Sequence, residues 1–177
     1  MGNWQIHHNT IQSGSDGKVI LMKIEIRDYT SNDALQIKTI FAEFVEYHSK
    51  LDNCFCKIDT HCEKFIEFIE MNISKNNDHV AVAEFNSKIV GYCISKIEHK
   101  PPIYPTPTYG YIDNLGVLND CQRQGAGSLL LTDSIDWFKK NGIKRVECFA
   151  ATSNIKSTNF WRKMGFNVYM EQMYLNL

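Results

Sequence analysis

The chain has 177 residues, of which 44% are hydrophobic and 22% charged, and its formal net charge at pH 7 is -1. This length favours a single domain whose core is large enough to fold without disulfides or metals. The balanced charge argues against a broad nucleic-acid-binding surface and leaves only a local basic patch open. No apolar run reaches the roughly 20 residues that a membrane-spanning helix needs. For these two reasons we predict that the protein binds neither nucleic acid nor membranes. The N-terminus shows no secretory signal, so we predict a cytoplasmic location.

Hydrophobic periodicity predicts an α+β domain in the order β-α-α-β-β-β-α-β-α-β, with helices flanking a mixed, mostly antiparallel sheet. Residues 1–18 are polar and without periodicity, which predicts a flexible lead-in before one domain over residues 19–177. Prolines predict an extended loop over residues 100–108, and Gly142 and Gly165 are predicted to end the last two helices. Strands are predicted over residues 19–27, 79–85, 88–97, 109–118, 144–150 and 166–175, and helices over residues 34–48, 60–73, 125–141 and 155–164.

The strongest local motif is the glycine loop Gln122-Arg123-Gln124-Gly125-Ala126-Gly127, which lies between an apolar strand and an amphipathic helix. Backbone N–H groups at a helix start lack intrahelical acceptors and lie at the positive end of the helix dipole. Small residues there let an anionic group approach the backbone, as in a phosphate cradle. A tight turn without a ligand is the alternative, because Leu130 stands where a dinucleotide fingerprint has its third glycine.

Two linked motifs resemble those of the GNAT superfamily of acyl-CoA-dependent N-acyltransferases. The family's Gln/Arg-x-x-Gly-x-Gly/Ala loop, which follows an aliphatic strand end, matches residues 117–127. An asparagine followed by a helix that ends in Phe-Tyr-x-x-x-Gly-Phe matches Asn154 and the segment Phe160-Trp161-Arg162-Lys163-Met164-Gly165-Phe166. The resemblance covers about residues 22–175, nearly the whole chain.

This resemblance implies that acetyl-CoA donates an acetyl group directly to a primary amine in a ternary complex. The glycine-loop amides would hold the pyrophosphate, and the backbone of residues 115–117 would hold the pantetheine arm where two strands splay apart. The Val117 N–H would polarise the acetyl carbonyl. The residues implied in cofactor binding are Leu115, Gly116, Val117, Gln122, Arg123, Gln124, Gly125, Ala126, Gly127, Ser128, Asn154, Ser157 and Trp161.

Asp113 is the candidate general base, because the acceptor ammonium must lose a proton before it attacks the thioester. A charged residue is unusual within an otherwise apolar central strand. The strand period of two predicts that Tyr111, Asp113, Leu115 and Val117 share one face. The alternative is that the Asp113 carboxylate caps a loop or pairs with a lysine.

Trp161 departs from the family pattern, which has tyrosine there as the acid for the departing thiolate. An indole N–H does not release its proton at useful pH, so we expect Trp161 to pack or to stack on CoA. Ser157, Tyr109 or Tyr111 remain as candidate donors. The thiolate can also leave unaided, since a free thiol has a pKa of about 8.5.

The cysteines and histidines between the first two helices do not have the spacing of a known zinc motif, and we predict no metal. Six dispersed cysteines suit a reducing compartment. By the resemblance, residues 49–60 and 100–108 border the acceptor pocket. His48 and His61 are predicted to be surface residues.

The sequence leaves the acceptor open among a small-molecule amine, a polyamine, an aminoglycoside-like compound and a protein amine, and the compact size favours a small amine. A protein that holds CoA without catalysis is the rival class. The sequence also leaves a homodimer open.

Overall fold

The computed structural model describes residues 10–13, 19–55, 60–73 and 78–175, which form seven strands and four α-helices. The strands are β1 (Thr10–Ser13), β2 (Val19–Met22), β3 (Glu25–Asp28), β4 (Asp78–Phe85), β5 (Lys88–His99), β6 (Thr108–Val117) and β7 (Val146–Cys148). The helices are α1 (Ala34–Ser49), α2 (His61–Ile73), α3 (Ala126–Lys140) and α4 (Ile155–Lys163).

A five-stranded sheet organises the molecule, with the strand order β3-β4-β5-β6-β7. The first three pairings are antiparallel and the β6–β7 pairing is parallel. A parallel pair needs a crossover connection, which α3 supplies here. The predicted fold class, a mixed and mostly antiparallel sheet flanked by helices, is confirmed.

The sheet buries both faces, and side-chain alternation along its strands divides the core in two. Val80 and Val82 of β4 belong to the cluster under α1 and α2, whereas Ala81 and Ala83 belong to the cluster under α3 and α4. Adjacent residues of a strand point to opposite faces, so one strand serves both clusters. The sheet is therefore a central layer between two helical layers.

Gly142 ends α3 as predicted, in the left-handed conformation with φ 73°. Its N–H donates to the Lys139 carbonyl (3.0 Å), and the Ile143 N–H donates to the Phe138 carbonyl (3.0 Å). These two bonds satisfy carbonyls that the helix end would otherwise leave without partners. Gly165, with φ 90°, follows the end of α4 as predicted.

The first and last predicted strands are wrong in part. The predicted strand over residues 19–27 is two strands, since β2 pairs with β1 and β3 pairs with β4. Periodicity alone does not tell which partner each half takes. β1 also lies within the predicted lead-in, whose other residues are outside the described part of the chain, and the domain boundary stays a prediction.

The predicted strand over residues 166–175 pairs with no strand in the described part of the chain. Beyond Phe166, which packs in the core, several large apolar side chains of this segment are exposed. The edge strand β7 is only three residues long, so it offers few backbone groups for pairing. Instead the Tyr169 ring lies 4.4 Å from the Arg145 guanidinium.

We predict that Gly110→Ala destabilises the fold, because a Cβ there would lie 2.7 Å from two ring carbons of Phe138 in α3. Overpacking of this kind typically costs about 1–3 kcal/mol. Gly127→Ala is the control, since its Cβ would meet ordinary contacts at 3.6 Å or more and alanine favours a helix. Urea denaturation measures both changes. Equal stability of the two variants would contradict this packing account.

Candidate functional site

The site begins where β6 and β7 part. β7 pairs with β6 only from Gly110 to Ile112, although β6 continues to Val117. The Leu118 N–H donates to the Val90 carbonyl (2.9 Å), and peptide groups alternate between the two sides of an antiparallel strand. The N–H and C=O groups of Leu115 and Val117 therefore point away from β5, into the opening that β7 leaves.

The glycine loop lies at the end of β6 next to this opening. Gly125 is left-handed with φ 97°, and a Cβ added there would meet no atom within 4 Å. Within the described residues, the backbone N–H groups of residues 123–128 have no protein acceptor. They lie at the start of α3, a 15-residue helix, where the helix dipole favours negative charge.

Side chains of the loop hold it to the strand end. The Gln122 amide donates to the Val117 carbonyl (3.3 Å) and to the Asn119 side-chain oxygen (3.1 Å). The Gln124 amide donates to the Asp120 carbonyl (3.1 Å). The loop therefore keeps its backbone N–H groups clear while its own side chains bond internally.

The start of α4 supplies the next part of the site. Asn154 caps the helix, and its side-chain oxygen accepts the Ser157 N–H (3.0 Å). The indole N–H of Trp161 donates to the Ser157 hydroxyl oxygen (3.0 Å). Trp161 is only 9% exposed, and its ring makes edge contacts with those of Phe160 and Phe166. Trp161 is thus a packed residue whose one polar group is already bonded.

Three of these elements converge on one small area. A Cβ added at Gly127 would lie 3.6 Å from the Phe160 ring and 3.7 Å from the Leu115 side chain. The structure therefore brings together the end of β6, the glycine loop and α4. These are the elements that carry the predicted cofactor-binding residues.

Asp113 does not share a face of the sheet with Leu115 and Val117. Ile94 pairs with Asn114 and Ser95 pairs with Ile112, so Asp113 is the extra residue of a β-bulge. The bulge shifts the alternation by one residue. Leu115 and Val117 pack in the α3 cluster, whereas Asp113 lies on the α1–α2 face with its ion-pair partner Lys96. The prediction that Asp113 shares one face with Leu115 and Val117 is therefore wrong.

The Asp113 carboxylate pairs with Lys96 at 3.2 Å, and the two side chains are 25% and 13% exposed. The Lys96 ammonium also lies 4.1 Å from the centre of the Phe68 ring. The lysine partner that the sequence left as an alternative is therefore present. Sequence reasoning missed Lys96, whose position in a strand next to Asp113 is set by the bulge.

Tyr92 explains the glycine at position 116. A Cβ on Gly116 would lie 2.8 Å from the Tyr92 ring, and the Tyr92 hydroxyl donates to the Asn114 side chain (2.8 Å). Burial raises the pKa of the Tyr92 phenol well above its usual value. Tyr92 therefore stays protonated at neutral pH and holds the strand next to the bulge.

The two tyrosines proposed as thiolate donors occupy different places. Tyr109 lies beside Lys100, with 4.7 Å between ring centre and ammonium, about 26 Å along β6 from Val117 at 3.3 Å per residue. Tyr111 contacts Phe149, and burial together with the Asp113 charge raises the pKa of its phenol to about 12. Tyr109 therefore lies far from Val117, and the raised pKa makes the Tyr111 phenol a weak proton donor for a thiolate.

The two histidines predicted at the surface are half-buried. The His48 ring lies 3.2 Å from the Asn154 amide nitrogen, which joins the end of α1 to the start of α4. The His61 ring lies 5.9 Å from the Phe41 ring.

Cys56 is outside the described residues, and the described ones include no group of three side chains suited to a metal ion. Nor does any described helix have the length and apolarity needed to cross a membrane.

A family model described as the acetyltransferase (GNAT) family matches residues 40–166. No curated protein sequence matches the chain. Among solved structures, a tetramutant of the Bacillus halodurans protein BH1408 is 20% identical, with a TM-score of 0.75 over 86% of this chain and 99% of that one.

Two aminoglycoside acetyltransferases are also similar in structure. The enzyme AAC(6')-IG from Acinetobacter haemolyticus is 13% identical, with a TM-score of 0.69 over 86% of this chain and 97% of its own. AAC(6')-Iy, solved in complex with CoA, is 11% identical, with a TM-score of 0.69 over 88% and 95% of the two chains. These similarities establish a shared fold.

Proposed function

We propose that this chain, which belongs to the GNAT acetyltransferase family, transfers an acetyl group from acetyl-CoA to a primary amine. One observation carries the proposal: the opening between β6 and β7 adjoins a loop whose backbone N–H groups have no acceptor in the described part of the chain. A long ligand with a phosphate end and a peptide-like arm matches that combination. CoA has both parts.

The glycine loop would hold the CoA pyrophosphate. Anions bind at helix starts because unpaired N–H groups and the helix dipole act together. Open space around Gly125 leaves room for the phosphates. The roles of residues 122–128 follow from this fit and from the family motif.

The pantetheine arm would lie in the opening along β6. Its amides can exchange hydrogen bonds with the N–H and C=O of Leu115 and with the Val117 carbonyl, as an added strand does at a sheet edge. One structural neighbour supports the same ligand, because AAC(6')-Iy was solved in complex with CoA. Asn154, at the start of α4, would contact the arm from the other side.

The transfer would proceed in one complex. Asp113 accepts a proton from the acceptor ammonium, and the resulting amine attacks the thioester carbonyl carbon. The Val117 N–H stabilises the oxyanion that forms. The nitrogen loses its second proton to solvent, the carbon–sulfur bond breaks to give the neutral amide, and CoA leaves as a thiolate that takes its proton from solvent.

Ser157 would stabilise that thiolate through a hydrogen bond. The Trp161 N–H occupies one side of the Ser157 oxygen (3.0 Å), so the hydroxyl hydrogen is free to point elsewhere. Trp161 would then act through the orientation of Ser157. A serine hydroxyl donates a hydrogen bond without giving up its proton, which is sufficient for a leaving group with a pKa near 8.5.

The acceptor we propose is a small-molecule amine in the cytoplasm, with a protein amine as the second candidate. Two of the structural neighbours named above are aminoglycoside acetyltransferases, and an acceptor of that type belongs in the first panel. Turnover distinguishes this proposal from a protein that only holds CoA.

Release of free CoA thiol in the presence of acetyl-CoA and a panel of amines tests the function. The panel includes small amines, polyamines, aminoglycosides and peptides with a free amine. Amine-dependent thiol release is expected for at least one class. CoA binding measured by calorimetry, with no turnover on any class, would favour the non-catalytic alternative.

We predict that Asp113→Asn lowers kcat/KM by roughly 10²–10⁴-fold, the usual contribution of a general base, while the affinity for CoA is kept. Lys96→Met is the matched control, because it removes the ion pair and keeps the carboxylate. Lys96→Met should lose far less activity than Asp113→Asn, while the melting temperatures of the two variants change by similar amounts. If both variants lose activity equally and in step with stability, Asp113 is only the partner of Lys96.

Gly125→Val should weaken CoA binding, because its side chain would fill the space in front of the loop amides. Gly142→Val is the control: both glycines have positive φ, 97° and 73°, and both face open space, so the backbone strain is similar. Only Gly125 adjoins the opening. Calorimetry with CoA should show weaker binding for Gly125→Val alone. Equal affinities of the two variants would contradict the phosphate role of the loop.

A further inference from the structure

A continuous chain of hydrogen bonds links the end of α1 to α4. His48 Nδ1 bonds the Phe44 carbonyl (2.8 Å), and the Asn154 amide nitrogen lies 3.2 Å from His48 Nε2. The same asparagine holds the Ser157 N–H, and Ser157 accepts from Trp161. We propose that His48 is a positioning residue that orients the Asn154 amide toward the pantetheine arm. This inference rests on the proposed function for the role of Asn154.

The bonds determine which atoms donate. A carbonyl oxygen only accepts, so His48 Nδ1 carries the hydrogen in its bond to Phe44. The Ser157 N–H only donates, so the Asn154 atom that faces it is the oxygen. The Asn154 nitrogen then faces His48, and His48 Nε2 must be the acceptor. Each assignment follows from a backbone group whose role is fixed.

Asn154 is buried, so each of its polar groups is expected to have a hydrogen-bond partner. The residue is 5% exposed, its N–H donates to the Ala151 carbonyl, and its own carbonyl accepts from the Thr158 N–H. One amide hydrogen goes to His48. For the second amide hydrogen, the described residues supply no acceptor. Buried polar groups usually have partners, so this hydrogen is the one offered to a ligand.

His48 decides where that hydrogen points. The carboxamide is planar, so a bond from one hydrogen to His48 and a bond from the oxygen to Ser157 fix the plane and the direction of the other hydrogen. Without the His48 acceptor, the amide is free to turn or to bond water instead. His48 therefore acts through Asn154.

Aromatic packing holds the His48 ring itself. Its centre lies 3.9 Å from the Phe44 ring and 5.1 Å from the Phe55 ring. The Leu51 and Asp52 N–H groups donate to the backbone carbonyl of His48. The ring is thus anchored at the start of the segment predicted to border the acceptor pocket, and it connects that segment to the cofactor side.

The test uses calorimetry with CoA and steady-state kinetics on the full chain. His48→Phe keeps a packed ring and removes the acceptor, and His48→Gln restores an acceptor, since its amide oxygen can lie where Nε2 lies. We expect His48→Phe to weaken CoA binding about 3- to 10-fold, the value of one hydrogen bond. The KM for acetyl-CoA should rise by a similar factor while kcat stays nearly unchanged. His48→Gln should recover most of the affinity.

The double variant His48→Phe/Asn154→Ala separates positioning from support of the fold. If His48 acts through Asn154, the double variant binds CoA no more weakly than Asn154→Ala alone. Additive losses, or unchanged affinity in a folded His48→Phe, would overturn this inference alone. Absence of CoA binding by the unchanged protein would overturn the proposed function as well.

Discussion

The structure depends on where β7 leaves β6. Three residues of parallel pairing hold the two strands together, and after Ile112 no described strand pairs with this edge of β6. Peptide groups without partners are costly when buried and must meet water or a ligand. That requirement turns the end of the strand into a binding edge. The glycine loop and α4 both lie at this end, so the elements of the candidate site meet where β6 and β7 separate.

A single extra residue divides the roles along β6. The bulge at Asp113 shifts the alternation, so the carboxylate lies on the α1–α2 face while Leu115 and Val117 pack against α3. A ligand in the opening contacts the strand through backbone groups, which lie in the plane of the sheet. In our proposal, the acceptor amine approaches from the face that carries Asp113 and Lys96.

Much of this arrangement could be predicted from the sequence. Helical periodicity located the four described helices, and Gly142 and Gly165 located the ends of the last two, because each signal is local. The glycine loop was predicted because small residues at a helix start have a direct physical consequence. The bulge was missed, since pairing register depends on the neighbouring strand, and the adjacent polar residues Asp113 and Asn114 were its only signal. The contact of His48 with Asn154 joins residues 106 positions apart, beyond any local pattern.

The melting temperature with and without saturating acetyl-CoA tests the central claim most directly. A ligand at 100 times its Kd adds about 2.7 kcal/mol to the free energy of unfolding. For a domain of this size, that predicts a rise in Tm of roughly 5–10 °C. A rise of this order would support the opening and its loop as an acetyl-CoA site. No rise with acetyl-CoA or with any longer acyl-CoA would contradict the account.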